Sequence, residues 1–434
     1  MDIKTNLKLI KSGNIPTTDN LKEGEMAFGK IDSDEIRLFA NSDNEVEEIS
    51  PIKQHNNLTS RDEPDSHPVS AITDAVEEVQ KSLPIYNVIQ TNKPDGSFLS
   101  MGLSSDGTLY FGGYGNGIWK LNSSGNIVPT NKINGSFSTM GLSSDGTLYF
   151  ACNDEHGIWK LDSSGNIVQT NKTTGYFSTM GLSSDGTLYF CGNFNNGIWK
   201  LDNSGNIVQT NKTNGYFWSV GLSSDGTLYF AGSGDGIWKL DSSGDIVPTN
   251  KIDGYFPSMG LSSDDTLYFC NSDYGIWKLD SSGNIVQTNK ISGGFYSMGL
   301  SSDGTLYFGS GDSNGIWKLD SSGNIVQTNK TDGSFLLMGL SSDGTLYFVS
   351  GGSYKNGIWK LDSSGDIVPT NKPDGGFASM GSSSDGTLYF GSYDNRGIWK
   401  LVSVYSQIYG RVHGEWKAID ESVFGEIKLV VQII

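Results

Sequence analysis

The sequence is poor in cysteine, histidine and proline: its 434 residues include 3 Cys, 4 His and 11 Pro. The histidines are scattered and show no spacing typical of metal ligands. Cys152, Cys191 and Cys270 are an odd number of thiols at similar places in different copies of a repeat, which predicts buried free thiols and not a disulfide framework. We therefore expect no cofactor and no metal site.

Positive charge is also scarce, with 30 Lys and Arg against 48 Asp and Glu, for a net charge of -18. A chain this acidic is a poor partner for nucleic acid or for an anionic membrane surface. No run is apolar for long enough to span a bilayer, and no apolar signal segment follows the N-terminal MDIKTNLK. We expect synthesis in a cytoplasm without a signal peptide, no membrane insertion and no bound nucleic acid.

What the chain has in abundance is glycine, 57 residues, and a repeated motif, Gly-Ile-Trp-Lys-Leu. The motif occurs eight times, and its tryptophans follow one another at intervals of 40, 40, 39, 39, 40, 42 and 40 residues. A fixed period near 40 indicates a solenoid or a propeller. The tryptophans are Trp119, Trp159, Trp199, Trp238, Trp277, Trp317, Trp359 and Trp399.

One copy of the repeat contains four short apolar segments separated by turn residues. In the first copy we predict strand a at 98–104, strand b at 108–112, strand c at 117–121 and strand d at 126–130. Asp-Gly joins a to b and Ser-Gly joins c to d, and both pairs suit tight hairpins. Four antiparallel strands with apolar residues on both faces are typical of a propeller blade packed between two neighbours.

The two ends of the repeat array are incomplete in complementary ways. Residues 86–93 read as a strand d without its blade, and the last copy stops after strand c at Leu401. If the early strand completes the last blade, the ring closes and no open sheet edge remains. The sequence thus predicts an all-β fold with an eight-bladed propeller closed by an N-terminal strand. An open β-solenoid is the alternative, but it does not explain the matching ends.

The copies differ in two of their four connections. The a–b and c–d turns are nearly uniform, whereas the b–c and d–a loops vary in sequence and length. Because strand direction alternates, the two kinds of connection fall on opposite faces of the ring, and loops on a rigid scaffold often carry binding residues. Aromatic rings beside Asp and Asn groups suit sugars. The candidate ligand-binding residues are Tyr114, Phe194, Trp218, Asp235, Tyr274, Tyr296, Asp312, Tyr354, Tyr393 and Asp394.

Other interpretations of these patterns stay open. The variable loops could simply have drifted because nothing packs on them. The Ser-Ser-Asp-Gly element occurs in almost every copy, which favours a turn device over a site. The repeated tryptophans lie in mid-strand and favour a place in the core between blades. No copy departs from the others with a cluster of acid, base or nucleophile, so we expect no catalytic residues and no enzyme activity.

The segment before the propeller contains a short helical pattern. Apolar residues there recur at intervals of three and four, which predicts one face of a helix of about four turns. Such a helix is marginal alone, and β-branched residues at both seam positions favour a trimer. Packing on the propeller's own flank is the alternative. The predicted oligomerisation residues are Val69, Ile72, Val76, Val79 and Leu83.

The flanks also carry a family resemblance. The stretch LKEGEMAFGKIDSDEIRLFA resembles the N-terminal attachment segment of tailed-bacteriophage fibre and receptor-binding proteins. LTSRDEPDSHPVSAITDAV, residues 58–76, resembles the linker helix of the same proteins, and QIYGRVHGEWKAI, residues 407–419, resembles a recurrent hairpin of phage fibres. These stretches belong to flanking regions that together make up about a quarter of the chain. The repeats themselves are similar only to propellers in general.

The resemblance implies four regions. They are an N-terminal virion-attachment β segment at 1–52 with a small β-meander, a linker with a short coiled-coil helix at 53–84, the propeller at 85–401, and a C-terminal hairpin segment at 402–434. It implies a virion protein, a homotrimer joined to other virion proteins by its N-terminal segment, that binds a host-surface glycan or protein receptor. The alternatives are a structural virion component, such as a head fibre or tail decoration, and a surface depolymerase.

Overall fold

The computed structural model describes residues 7–10, 26–32, 35–42, 45–51, 86–251, 253–351, 357–372, 374–403, 409–412 and 415–418, with side chains between 87 and 402. The chain divides into two units, Met1–Asn87 with Val402–Ile434, and Val88–Leu401. Every regular element among the described residues is a β-strand, and none of them forms a helix that could cross a membrane. The predicted short helix and its residues Val69, Ile72, Val76, Val79 and Leu83 lie outside the described residues.

The first unit contains a four-stranded sheet in the order β1-β2-β3-β4. Strands β2 to β4 pair antiparallel, which confirms the predicted meander for these three. Strand β1 instead pairs parallel with β2, because the chain from Ile10 to Met26 is long enough for a crossover. The predicted C-terminal hairpin is present as the antiparallel pair β37 and β38. The bounds in this unit are β1 (Leu7–Ile10), β2 (Met26–Asp32), β3 (Glu35–Ser42), β4 (Glu45–Pro51), β37 (Tyr409–Val412) and β38 (Glu415–Ala418).

The second unit is built from eight four-stranded antiparallel sheets, one for each copy of the repeat. We number them blade 1 to blade 8 and keep the letters a to d for the strands of each. Strand β5 (Tyr86–Gln90) precedes them in the chain. Blade 1 is β6 (Phe98–Leu103), β7 (Leu109–Gly113), β8 (Ile118–Leu121) and β9 (Ile127–Pro129); blade 2 is β10 (Phe137–Leu142), β11 (Leu148–Cys152), β12 (Ile158–Leu161) and β13 (Ile167–Gln169); blade 3 is β14 (Phe177–Leu182), β15 (Leu188–Gly192), β16 (Ile198–Leu201) and β17 (Ile207–Gln209); blade 4 is β18 (Phe217–Leu222), β19 (Leu228–Gly232), β20 (Ile237–Leu240) and β21 (Ile246–Pro248).

The second half of the ring repeats this pattern, and the limits predicted for the first copy agree with the strands of blade 1 to within one residue. Blade 5 is β22 (Ser258–Leu261), β23 (Leu267–Cys270), β24 (Ile276–Leu279) and β25 (Ile285–Gln287); blade 6 is β26 (Phe295–Leu300), β27 (Leu306–Ser310), β28 (Ile316–Leu319) and β29 (Ile325–Gln327); blade 7 is β30 (Leu337–Leu340), β31 (Leu346–Val349), β32 (Ile358–Leu361) and β33 (Ile367–Pro369); blade 8 is β34 (Phe377–Ser382), β35 (Leu388–Ser392) and β36 (Ile398–Ser403), completed by β5.

The ring closes as the sequence predicts. Strand β5 pairs with β36 as the outermost strand of blade 8. The a strands of neighbouring blades contact one another all round the ring, including β34 with β6, so strand a is the innermost strand. The open-solenoid alternative is wrong, because a solenoid leaves its first and last units apart. The second unit is an eight-bladed β-propeller.

The core lies between the blades and repeats at every junction. The Tyr of each strand b meets the Phe of strand b in the next blade, edge to face, with ring centroids 5.5 to 6.3 Å apart. The closing junction follows the same rule, with Phe111 and Tyr389 at 5.7 Å. Such ring pairs contribute about 0.5–1.5 kcal/mol each beyond the burial of their area. The three cysteines are free and buried in these junctions, as predicted.

Candidate functional site

The a–b and c–d turns form one face of the ring, which we call the uniform face. In the first a–b turn, Ser104 Oγ donates to Asp106 Oδ1 at 2.6 Å, and the Thr108 N–H donates to the same oxygen at 2.9 Å. The Ser104 hydroxyl, followed by the Thr108 N–H, lowers the pKa of the Asp106 carboxyl. The same arrangement recurs in the other a–b turns, so this aspartate closes a turn and is not a site.

The b–c and d–a loops form the opposite face, which we call the variable face. All strongly exposed aromatic side chains of the described residues lie in these loops and none in the uniform turns. Their exposed fractions run from 38% to 63%, high for large apolar groups. They are Tyr114, Phe194, Tyr216, Tyr274 and Tyr393.

Residues that are the same in every copy fix the segments that lead into the variable loops. In each d–a segment an asparagine reaches the next blade: Asn131 donates to the Ile167 carbonyl at 3.0 Å and accepts from the Ile167 N–H at 2.9 Å. The lysine that follows, Lys132, places its Nζ 4.2 Å from the ring centre of Trp159 in that next blade. The asparagine contact recurs at all eight junctions, including Asn371 with Val88 where the ring closes. The variable loops therefore begin from segments whose contacts are the same at every junction.

These contacts also settle the place of the repeated tryptophans. Each is half-buried against the core between blades, which confirms the predicted core position in part. The lysine of the preceding blade covers the ring, with Nζ 4.0 to 4.8 Å from the ring centre at the eight junctions. A ring covered in this way is not available for stacking with a sugar.

Three aromatic rings meet above blades 3 and 4 on the variable face. Phe194, in the b–c loop of blade 3, lies between Tyr176 and Tyr216, with ring centroids at 4.9 and 6.3 Å. Phe194 has a φ of +50°, an unfavourable backbone region for a bulky residue. Strain of this kind persists where the surroundings impose it and is concentrated at functional sites.

Three more rings meet at the start of the innermost strands of blades 4, 5 and 6. Tyr255 lies between Trp218 and Tyr296, with ring centroids at 6.0 and 6.2 Å. Burial, and secondarily Tyr296, raises the pKa of Tyr255 to about 12, so its phenol stays a neutral hydrogen-bond donor. The Trp218 Nε1–H is enclosed and has no acceptor among the described residues.

We call the six residues the aromatic arc: Tyr176, Phe194, Tyr216, Trp218, Tyr255 and Tyr296. Tyr216 and Trp218 lie two residues apart at the start of β18, so the two groups of rings are neighbours in blade 4. In blades 7, 8, 1 and 2 the positions just before and just after the first Phe of strand a hold no aromatic residue. There they are Ser334 and Leu336, Gly376 and Ala378, Ser97 and Leu99, and Ser136 and Ser138.

The predicted acidic residues are occupied by contacts within their own blades. Asp235 Oδ2 accepts from the Tyr216 N–H at 2.9 Å, and Asp312 Oδ2 accepts from the Gly294 N–H at 2.8 Å. Each carboxylate thereby ties a b–c loop to the start of strand a. Asp394 pairs with Arg396, its Oδ2 3.0 Å from the Arg396 Nε. These placements favour a supporting role for the three carboxylates.

The remaining predicted site residues lie apart from the aromatic arc. Tyr114, Tyr274 and Tyr393 are exposed in the b–c loops of blades 1, 5 and 8, and no ring contact joins them to one another among the described residues. Tyr354 lies outside the described residues. The arc adds Tyr176, Tyr216 and Tyr255, which the sequence analysis missed. They could have been found by aligning the copies on the Phe of strand a and inspecting the residue before it.

Two further features of the described residues bear on the chemistry. No group of three or more His, Cys, Asp or Glu there could hold a metal ion. A cavity of about 370 Å³ lies on the uniform face between blades 4 and 5, and its lining includes Asp225, Asp265 and Asp280. Asp225 and Asp280 accept hydrogen bonds within their own turns, so this cavity is a cleft between turns and not a second site.

Comparison with known proteins identifies the fold alone. No family model and no curated protein matches the chain. Among solved structures, the Dos1 propeller matches with a TM-score of 0.53 and 14% identity over 74% of this chain and 96% of that one. A catalytically inactive virginiamycin B lyase from Staphylococcus aureus with quinupristin matches with a TM-score of 0.50 and 19% identity over 73% of this chain and 99% of that one. Both likenesses support a propeller and carry no function over to this chain.

Proposed function

We propose that this protein is a receptor-binding component of a tailed-phage virion and that its propeller binds a host-surface glycan through the variable face. The observation that carries the proposal is the difference between the two faces. Among the described residues, strongly exposed aromatic rings lie only in the loops that vary, and the aspartates of the uniform a–b turns accept hydrogen bonds within their own turns. Exposed apolar groups gathered on one surface are typical of interaction sites.

The flanking segments supply the virion part of the proposal. The likeness of residues 21–40 and 58–76 to phage attachment segments and linker helices supports anchoring to other virion proteins and assembly as a homotrimer. Both ends of the propeller, Val88 at the start of a strand d and Leu401 at the end of a strand c, lie at the uniform face. The binding loops are then on the face from which the chain does not depart. Three propellers held together would raise weak single-site affinities through effective concentration.

We propose binding, without catalysis, as the role of this face. A propeller hydrolase or lyase needs an acid, a base or a nucleophile directed at its substrate. The carboxylates Asp235, Asp312 and Asp394 are instead engaged by main-chain N–H groups or by Arg396. Their hydrogen bonds hold loops in place, which is what a rigid binding surface requires.

The full-length chain on an array of bacterial surface glycans tests the proposal. We expect retention of at least one glycan class, stronger for the trimer than for a monomeric form, with no change in the length of the bound glycan. Release of shorter products would show a depolymerase. Absence of any glycan binding, with tight association to purified virion proteins, would overturn the receptor-binding role in favour of a structural one.

The virion location has its own test. Antibodies against the propeller, applied to purified particles from the strain that encodes this chain, should label the particle surface and block adsorption to host cells. Labelling without any effect on adsorption would place the protein on the virion but contradict a receptor-binding role.

A further inference from the structure

The variable face is divided into two unequal halves around the ring. Blades 3 to 6 carry five of the six arc residues at the start of their innermost strands, whereas blades 7, 8, 1 and 2 carry Ser, Gly, Ala or Leu at the same positions. Eight near-identical copies give no structural reason for such a division, because the strands and junctions are the same in both halves. This difference lies in side chains at one mouth of the ring.

Several residues of the arc are held in place by contacts with neighbouring backbone and side chains. Tyr296 lies against Gly311 so closely that a Cβ on that glycine would come within 2.3 Å of the ring. Tyr216 is fixed by the bond from its N–H to Asp235, and Tyr176 Oη donates to Glu155 Oε1 at 3.2 Å. A surface fixed in advance loses little side-chain entropy when it binds.

The charges near the arc decide which kind of ligand it suits. Glu155, Asp235 and Asp312 lie in the b–c loops of blades 2, 4 and 6. Lys212 pairs with Asp235, its Nζ 3.7 Å from the Asp235 Oδ1, and Lys212 and Lys290 place their Nζ over the rings of Trp238 and Trp317 at 4.1 and 4.0 Å. Glu155 and Asp312 have no such ion pair among the described residues, so an acidic polysaccharide would meet like charge at these two carboxylates. A neutral sugar can lay its C–H face on the rings and bond its hydroxyls to carboxylate oxygens and to a donor such as the Tyr255 phenol.

We propose that the aromatic arc is the glycan-binding groove of this propeller and that it takes a neutral oligosaccharide across blades 3 to 6. This inference rests on the proposed glycan-binding function and adds its location and its ligand class. It also predicts that the aromatic residues outside the arc, including Tyr114 and Tyr393, contribute little to the affinity.

The first test compares matched positions in the two halves. The full-length chain is applied to an array that carries neutral oligomers, chitotetraose and mannotetraose among them, and acidic oligomers, oligogalacturonate and tetrasialic acid among them. The variants are Trp218→Ala and Tyr255→Ala in the arc, and Leu99→Ala and Leu336→Ala outside it, where each leucine occupies the position that Trp218 has in blade 4. We expect neutral oligomers to bind the native chain, and the arc variants to weaken that binding at least tenfold, about 1.4 kcal/mol. The two leucine variants should change it less than twofold.

A second pair of variants displaces a ring without removing it. Gly311 does not have a positive φ, so Gly311→Ala is tolerated by the backbone, but its Cβ would push the Tyr296 ring from its place. The control is Gly351→Ala, whose Cβ would meet Leu336 at 2.3 Å in the opposite half. We expect several-fold weaker binding for the first variant and none of this loss for the second, with the thermal unfolding midpoints of the two variants alike.

The possible results separate the location, the ligand class and the function. Neutral binding that survives in Trp218→Ala and Tyr255→Ala would overturn the location and leave the glycan-binding function intact. Binding of acidic oligomers in preference to neutral ones would overturn the ligand class. An array on which the native chain binds nothing would overturn the proposed function together with this inference.

Discussion

The two faces of this propeller use the same kinds of residues for opposite purposes. On the uniform face, Asp145 Oδ1 accepts from the Ser143 hydroxyl and from the Thr147 N–H, and both bonds stay within its own turn. On the variable face, Asp235 also accepts from the main chain, but the residue it fixes, Tyr216, remains 38% exposed. The difference shows that a polar group can serve binding indirectly, by holding a neighbouring ring in place. Residue type alone therefore does not distinguish a turn from a site.

The comparison of the two faces also shows why the variable loops can differ in sequence and length without disrupting the fold. The loops can differ in length because each is attached to constant contacts, such as Asn131 with the main chain of Ile167 and Lys132 over Trp159. Stability should accordingly depend on the constant residues, and binding on the variable ones. The four predictions below test this separation, from the largest expected effect to the smallest.

Acid should weaken all the uniform turns together. In six a–b turns the serine hydroxyl is the first cause of the lowered pKa of the aspartate: Asp106, Asp145, Asp185, Asp225, Asp264 and Asp303. A carboxyl whose pKa is lower in the folded state stabilises the fold above its unfolded pKa of about 4, and this contribution is lost as the pH falls from there toward the folded pKa. The thermal unfolding midpoint should be nearly constant from about pH 7 to 5 and fall steeply below about pH 4. A midpoint that already falls above pH 5 would show that other groups control the stability.

Loss of one junction asparagine should cost more than loss of any single turn contact. Asn131→Ala leaves the N–H and the carbonyl of the buried Ile167 without their partner, which we expect to lower the free energy of unfolding by about 3 kcal/mol. Urea denaturation measures the change. The matched control is Asn134→Ala, an exposed asparagine three residues on whose Oδ1 accepts from the Lys132 Nζ, and for which we expect less than about 1 kcal/mol. Equal effects at the two positions would contradict a role for the junctions as the base of the loops.

A single uniform turn should contribute about as much as one hydrogen bond in a partly exposed site. Asp145→Ala removes the acceptor for Ser143 and for the Thr147 N–H, and we expect about 1 kcal/mol of destabilisation with unchanged glycan binding. Asp145→Asn keeps an acceptor oxygen at the same place and should recover most of the loss. If Asp145→Ala lowered glycan binding at unchanged stability, the assignment of this face to structure alone would fail.

A substitution in the irregular a–b turn of blade 5 should stabilise the fold. Asp265 occupies the position that is glycine in the other a–b turns and has a φ of +63°. Asp265→Gly should relieve this backbone strain and stabilise the fold by roughly 0.5 kcal/mol, since the flexibility of glycine offsets part of the gain. The reciprocal change, Gly226→Asp, should destabilise, because φ there is +84° and a Cβ would lie 3.3 Å from Ser184. A stability loss in Asp265→Gly would indicate that this aspartate has a contact of its own.

Much of the fold could be predicted because the same pattern of strands and turns occurs eight times in the sequence. The period of the tryptophans, the Asp-Gly turns and the two incomplete ends are local features, and each has one geometric consequence. Pairing of β5 with β36 followed from matching a strand d without a blade to a blade without a strand d. The parallel pairing of β1 was missed because a single strand shows no direction in its sequence.

The site could be predicted less well because it depends on contacts between blades. Trp218 and Tyr296 were found as aromatic residues in variable segments, but the ring that joins them, Tyr255, was not. The distance between rings on neighbouring blades is set by the diameter of the closed ring, which no single copy encodes. Asp312 was chosen for its charge, and its carboxylate bonds the Gly294 N–H instead of facing outward. The direction of a side chain in a loop is decided by the contacts that the finished fold offers.

Ring closure by β5 also has a consequence for the order of events during synthesis. Val88, only 2% exposed in the finished ring, bonds to Asn371, which is separated from it by 283 positions of chain. Strand β5, the first part of the propeller to be synthesised, therefore has no partner strand until β36, the last part, has been synthesised. During that interval the outer strand of each of blades 1 to 7 offers β5 an incorrect pairing partner of nearly the same shape. The ring can therefore close only after the last copy of the repeat has been translated.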